Sequence, residues 1–317
     1  MSDQQNQPNT NEIRHNYDDE IDLVRLFSIV WKGKWVIIAV TLVFAIASVS
    51  IALYLPDEYK ASAVVQPNES GGAGKLSSLA GQFGGIASLA GIKLGANESS
   101  DAVIAMEVMQ SWGFAEEFID RHELAVPLFG AQNWEQSTNT LRLDEDLYDS
   151  QKGLWVRQAP KGKTVHPTSW ELYQALKERV RVEQNAETGL VTVSVIHYSP
   201  YIAKKWVDLL LEDINHHMKT RALKETQRNI EYLEKQFENT SYAELRAVFS
   251  ELIQEEHKNK MLAQVSDEYI FKTISKAKAP EERYKPNRVL IAVVGTLLGG
   301  FLSLFCVLLL GLTRYKE

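Results

Sequence analysis

At 317 residues the chain is long enough for one or two domains with their own cores, and its 45% hydrophobic content is that of a folded protein. The net charge of −7 argues against a nucleic-acid-binding surface, which needs a basic face. The single cysteine, Cys306, excludes an intrachain disulfide and a cysteine-built metal site.

Residues 1–20 are polar, rich in Asn and Gln, and read as a disordered cytoplasmic tail. Residues 21–35 read as an interfacial segment. Leu23, Leu26, Phe27 and Val30 fall on one face at helical spacing, as in a short helix on a membrane surface; the other reading is a docking site for a cytoplasmic partner. Trp31, Lys32, Lys34 and Trp35 have the composition of interface anchors. Residues 36–56 carry no charge and are too long for the apolar core of a signal peptide, so they predict a first transmembrane helix. Lysines before it and Asp57 and Glu58 after it orient the N-terminus to the cytoplasm.

Residues 58–65 alternate as a strand. Residues 71–95 then hold eight glycines, with Leu76, Leu79, Phe83, Ile86, Leu89 and Ile92 at steps of three and four. That spacing suggests a loose amphipathic helix, which glycine weakens by about 1 kcal/mol per residue. It reads either as a flexible apolar loop packed on a neighbour or as a candidate contact with substrate or an adjacent subunit. A phosphate-binding loop is excluded, because the G-x-x-x-x-G-K-[ST] spacing is absent.

A helix over residues 99–123 is expected, capped by Ser99 or Ser100, with Val103, Met106, Val108 and Met109 as its apolar face and an interruption at Gly113. Residues 124–168 read as loop-rich. A short helix over 170–179, capped by Thr168 or Ser169, leads to strands at 180–183 and 190–196 with a turn at 187–189. Ser199 and Pro200 are a cap and a first-turn proline, and they open a long helix through Val207, Leu210, Ile214, Met218, Leu223, Ile230, Leu233 and Phe237. A break at Asn239 and Thr240, with a capping box from Ser241 to Glu244, predicts a second helix and hence a helical hairpin over about 199–265. Residues 269–274 return as a strand. Pro280 and Pro286 lead into residues 289–313, an uncharged run that predicts a second transmembrane helix before a cytoplasmic tail at 314–317. In that run Gly295 and Gly299 form a G-x-x-x-G with Gly300 alongside.

The expected fold is α+β. Two transmembrane helices flank a periplasmic domain, residues 57–288, with a membrane-proximal α/β base and a long projecting helical hairpin. No catalytic, cofactor-binding or metal-binding constellation stands out. His216 and His217 are adjacent on a helix and point about 100° apart. The carboxylates Asp144, Glu145, Asp146, Glu255 and Glu256 read as solvated faces.

Particular blocks carry a family likeness. They are Asp19-Glu20-Ile21-Asp22-Leu23, then Trp31-Lys32-Gly33-Lys34-Trp35, then Ala243-Glu244-Leu245-Arg246 and Asp267-Glu268-Tyr269-Ile270-Phe271. Pro280 and Pro286 before Gly295 and Gly299 complete the set. The chain resembles the Wzz family, polysaccharide co-polymerases that set O-antigen chain length on lipopolysaccharide. The resemblance implies a non-enzymatic protein of the bacterial inner membrane, assembled as a ring-like homo-oligomer, commonly an octamer. Its α/β bases would sit side by side, and it would work with the O-antigen polymerase on a glycan linked to undecaprenyl diphosphate. It implies no cofactor. An exopolysaccharide or capsule co-polymerase, or an export component, working with a separate cytoplasmic kinase is the alternative; a fused kinase is not expected, because a Walker motif and a terminal tyrosine cluster are absent. Small residues let membrane helices approach closely, so Gly295, Gly299 and Gly300 read either as a contact face toward another subunit or the polymerase or as glycines of a simple anchor, in which glycine is common.

Overall fold

The computed structural model describes residues 30–68 and 101–313, and the side chains of all but the last three of these. They fall into two compact units: one holds the segments up to Leu55 and from Asn287, the other runs from Pro56 to Pro286. The tails at 1–20 and 314–317, residues 21–29 and the Gly-rich segment at 71–95 lie outside the described residues.

The first unit is a pair of helices, α1 (Lys34–Tyr54) and α8 (Arg288–Thr313). Both are long and apolar enough to cross a membrane, and only 11% of each apolar window is buried. Leu42, Ile46, Leu297 and Phe301 face outward from the pair. Such surfaces fit a membrane protein, in which lipid takes the place of water around them.

The second unit is built on a four-stranded sheet in the order β6-β7-β1-β8, every pair antiparallel. The strands are β1 (Tyr59–Pro67), β6 (Val180–Gln184), β7 (Val191–His197) and β8 (Phe271–Ser275). The hairpin of β6 and β7 turns at Gly189, whose φ of +69° favours glycine, while Asn185 Oδ1 accepts from the Glu187 and Thr188 amides. Alternation decides the buried face. Ala61, Ala63 and Val65 of β1 stand opposite Val195, Val193 and Val191 of β7, and all six are buried. On the other face Ser62 and Ser194 meet at 3.0 Å through their hydroxyls.

Helix α6 (Pro200–Asn239), capped by Ser199 with its hydroxyl accepting from the Ile202 amide, covers the apolar face. Ala203, Trp206, Val207, Leu210 and Ile214 join the sheet residues in one core. The other core helices are α2 (Asp101–Met109), α3 (Trp112–Arg121), α4 (Ala125–Phe129) and α5 (Ser169–Arg179). One expectation is corrected here. The break before α3 lies at Ser111, whose side chain accepts from the Phe114 amide, so Gly113 sits inside the first turn and interrupts nothing. Helix α2 buries Ala102, Ala105 and Met109, with Met106 and Val108 packed partly buried against the same core; of its expected apolar face only Val103 is exposed.

The stretch expected to be loop-rich holds α4 and two small hairpins. These are β2 (Ala131–Glu135) with β3 (Thr140–Leu143), and β4 (Tyr148–Asp149) with β5 (Leu154–Trp155). Their strands are too short and too exposed to show a hydrophobic period.

The chain beyond the sheet forms the helical hairpin of α6 and α7 (Ala243–Val265). At 1.5 Å per residue α6 is about 60 Å long. The capping box expected at Ser241 is not formed; Tyr242 is the N-cap and no side chain caps α7. The far part of the hairpin is held mainly by polar contacts, Asn229 Nδ2 donating to Glu256 Oε1 and Lys260 Nζ donating to Gln227 Oε1, with Ile230 and Ala263 buried. Leu245, Val248, Met261, Leu262 and Val265 remain exposed.

Three buried polar groups hold the elements in place. Asn215 of α6 accepts from the Ile270 and Phe271 amides through Oδ1 at 2.8 and 3.0 Å, and its Nδ2 donates to the Phe271 and Leu211 carbonyls. A side-chain amide thus satisfies the start of β8 from the helix. His197 donates from Nε2 to the Pro127 carbonyl at 2.9 Å and accepts the Ser199 amide at Nδ1, joining β7, α4 and the cap of α6. Burial pushes its imidazole down to about 4, so it is neutral near pH 7. Arg157 pairs with Glu171 in the first turn of α5 and donates to the Thr164, Val165 and His166 carbonyls. Arg157 holds the Glu171 carboxyl well below the usual carboxylate range, and the same carboxylate completes the Thr168 capping box.

Replacing Asn215 with Ala strands three backbone groups at β8, so a loss of about 2–4 kcal/mol is expected in thermal unfolding of the purified protein. A loss below about 1 kcal/mol would show that the amide is not needed. His197 has a second consequence. A neutral buried imidazole whose folded pKa lies below its unfolded value of about 6.5 stabilises the fold fully above that pH and loses the effect as pH falls toward 4. Unfolding measured from pH 7 to 5 should therefore show a steeper decline in the parent than in His197→Gln, out of a full effect of roughly 3 kcal/mol. Equal slopes would refute the assignment.

Candidate functional site

Two places in the structure are candidates for a functional site. The first is the contact between α1 and α8. A methyl group on Gly295 would overlap Ser48 Cβ and lie 2.9 Å from its Oγ; on Gly299 it would overlap Phe44 Cβ and lie 2.7 Å from Cγ. Gly300 faces Thr41, whose Oγ1 would lie 3.9 Å from an added Cβ. Thr41 Oγ1 and Ser303 Oγ meet at 3.4 Å, and Ser48 and Ser303 are both buried. The partners of α1 fall in sequence as those of α8 rise, so the pair is antiparallel. The glycine face is occupied by the chain's own first helix. Side chains at these positions would prevent the close approach that makes dispersion contacts effective where no hydrophobic driving force acts between helices.

The flanking residues are placed as follows. Trp31 and Trp35 are exposed at the start of the first apolar helix, and Lys34 Nζ lies 4.6 Å from the centre of the Trp31 ring. Pro280 follows the buried Ala277. Pro286 ends the sheet unit, directly after the bridge in which Glu58 donates its amide to the Lys285 carbonyl and accepts the Tyr284 amide. Arg283 lies 3.9 Å from Asp57 beside the same bridge. The start and the end of the sheet unit are thereby hydrogen-bonded to each other. Leu76, Leu79, Phe83, Ile86, Leu89 and Ile92 lie outside the described residues.

The second place was not anticipated. An open cleft of about 680 Å³ lies between α3 and the middle of α6. Phe114, Glu117, Phe118 and Arg121 form one wall; Asp213, His216, His217, Thr220, Arg221, Lys224, Glu225, Arg228 and Asn229 line the other. Asp213 anchors its inner end, paired with Arg121 at 3.1 Å and with His122 at 3.0 Å. Arg121 also pairs with Glu117. His217 meets Phe114 edge to face at 5.9 Å. Both histidines expected to diverge do line this one cleft, yet among the described residues no group of three His, Cys, Asp or Glu is placed to hold a metal. The one signal in the sequence was the recurrence of His217, Arg221, Lys224 and Arg228 at steps of four, three and four. The acidic turn holds Asp144, whose Oδ1 accepts the Asp146 amide, and faces a shallow exposed hollow.

Residues 19–122 match the family model described as Wzz, chain length determinant protein. The ferric enterobactin transport protein FepE of Escherichia coli (strain K12) is 40% identical over 52 residues, which is 16% of this chain and 14% of that relative's length. Among solved structures, a full-length bacterial polysaccharide co-polymerase is 12% identical with a TM-score of 0.39, covering 93% of this chain and 99% of that one. A fragment of WzzB, a polysaccharide co-polymerase from Salmonella Typhimurium, is 10% identical with a TM-score of 0.28, covering 73% of this chain and 100% of the fragment.

The helix pair has a direct test. With Cys306 replaced by Ala, cysteines at Thr41 and Ser303 should cross-link within one chain in isolated membranes, at a yield that does not change with expression level. Adding Gly295→Leu and Gly299→Leu should lower that yield several-fold while the protein stays in the membrane. Cross-linking only between chains would contradict the pairing.

Proposed function

We propose that this chain is a member of the Wzz family of chain length determinant proteins and that it regulates the length of a surface polysaccharide as an inner-membrane co-polymerase. The glycan of this reading is lipopolysaccharide O-antigen, extended on undecaprenyl diphosphate by the O-antigen polymerase. The chain acts without catalysis, as a homo-oligomeric ring, an octamer in the simplest case. Residues 57–288 lie in the periplasm and both termini in the cytoplasm, the orientation favoured by Lys32 and Lys34 before α1 and Asp57 and Glu58 after it.

The observation that carries this reading is the family match at residues 19–122, joined to an architecture in which two apolar helices flank one folded unit whose ends are bonded at Glu58 and Lys285. The exposed Leu245, Val248, Met261, Leu262 and Val265 on α7 support an assembly, because apolar side chains grouped on one helix suit a neighbouring surface. Mechanistically, a ring that holds several polymerases or one growing glycan raises their effective concentration without new chemistry. Chain length then depends on how long the complex keeps its glycan, a matter of binding geometry and dissociation rate.

Deleting the gene and separating lipopolysaccharide by electrophoresis tests the proposal. The expected result is loss of the modal band cluster with polymer still present, restored by the parent gene. Complete loss of polymer would refute the reading in favour of an enzyme or transporter. An unchanged ladder with an altered exopolysaccharide size would refute O-antigen as the glycan.

A further inference from the structure

The cleft between α3 and α6 holds cations that the fold does not use. Arg121 is committed to Glu117 and Asp213. Arg221, Lys224 and Arg228 line the same cleft, all exposed, and among the described residues none has an ion pair or a side-chain hydrogen bond. Steps of three and four put them on one helix face, continued by His217. Like charges at those spacings destabilise a helix. Being exposed and without a protein partner among the described residues, the three leave the outer part of the cleft with positive charge that is open to a ligand.

The remaining lining limits what that is. Glu225, Asp213 and Glu117 also face the cleft, which disfavours a polyanion. Thr220 and Glu225 offer a hydroxyl and a carboxylate, groups that bond sugar hydroxyls. Phe114 and the His217 ring packed on it give the inner wall an apolar part. A mixed surface of this kind suits a polyhydroxylated ligand carrying an isolated oxyanion.

We propose that this cleft binds an acidic saccharide, with its oxyanion on Arg221, Lys224 and Arg228 and its hydroxyls on Thr220 and Glu225. The inference rests on the chain-length reading, which supplies a glycan; the charge requirement comes from the stripe alone. A sugar carboxylate and a sugar phosphate present the same chemistry, and the test separates them.

Full-length protein in lipid nanodiscs is titrated calorimetrically at low ionic strength with trigalacturonate, with phosphorylated maltotriose, with neutral maltotriose and with inorganic phosphate. At least one acidic saccharide should bind about tenfold or more tightly than neutral maltotriose and than inorganic phosphate. Which one binds identifies the oxyanion. The combined variant Arg221→Ala, Lys224→Ala, Arg228→Ala should weaken that binding about tenfold or more, with unchanged circular dichroism and particle size. If the combined variant misfolds, Lys224→Glu alone carries the same expectation. Equal binding of neutral and acidic sugars, phosphate binding as tight as the saccharide, or undiminished binding by the variant would overturn the proposal. So would a change in particle size with the stripe removed, because the cleft would then be a contact between copies of the chain. If gene deletion abolishes the modal length while the variant still binds the saccharide as the parent does, the cleft is refuted and the chain-length reading stands.

Discussion

The arrangement of the sheet unit depends on β1 pairing on both sides. Its residues Tyr59 to Val65 bond β7, and Val64 to Pro67 bond β8, so one strand from the beginning of the unit holds strands from its middle and its end. These pairings join residues more than a hundred positions apart, and their loop-closure cost must be met by burial. Val65, Val191, Val193 and Val195, all fully buried under α6, supply it. The same pairing brings the residues next to the two apolar helices side by side, where Glu58 bonds Lys285 and Tyr284. The folded unit thereby begins and ends at one place, and β1 provides this.

Polar groups in this core serve position, not reaction. Asn215 replaces ladder partners for the start of β8, His197 ties the end of β7 to α4, and Arg157 fixes the 164–166 backbone on α5. Each is buried with its hydrogen bonds made, which is the condition under which buried polar groups are tolerated and specify one arrangement. A neutral His197 with both nitrogens bonded has no lone pair or proton to offer a substrate. The cleft of α3 and α6 is different in kind. It is open, and its three outer cations have no protein partner among the described residues.

The helix pair follows another rule. Between α1 and α8 the hydrophobic effect contributes little if lipid surrounds them, and contact must come from close packing. Gly295 and Gly299 leave the space that Ser48 and Phe44 fill, and Thr41 with Ser303 adds a polar contact. These glycines pack within the chain, and Leu297 and Phe301 stand on the outward face of the pair.

Local pattern was enough for much of this protein. Uncharged runs at 36–56 and 289–313 are visible without any partner, because membrane helices are selected by their own composition. The alternation of β7 and the Ser199–Pro200 start of α6 are equally local, as are the blocks that carry the family likeness. Other features were hidden because their cause lies far away in sequence. Asn215 reads as an ordinary helix residue until β8, 55 positions later, arrives to use its amide. Helix α2 buries Ala102 and Ala105 beside Met109, because the space left by its neighbours decides which small residues join its apolar face. The capping box at Ser241 fits the motif and is not formed, because the turn between α6 and α7 places Tyr242 at the cap. The stripe at Arg221, Lys224 and Arg228 was in the sequence all along; that it faces a cleft walled by α3 was decided only by the packing of Phe114 and Phe118 into the core.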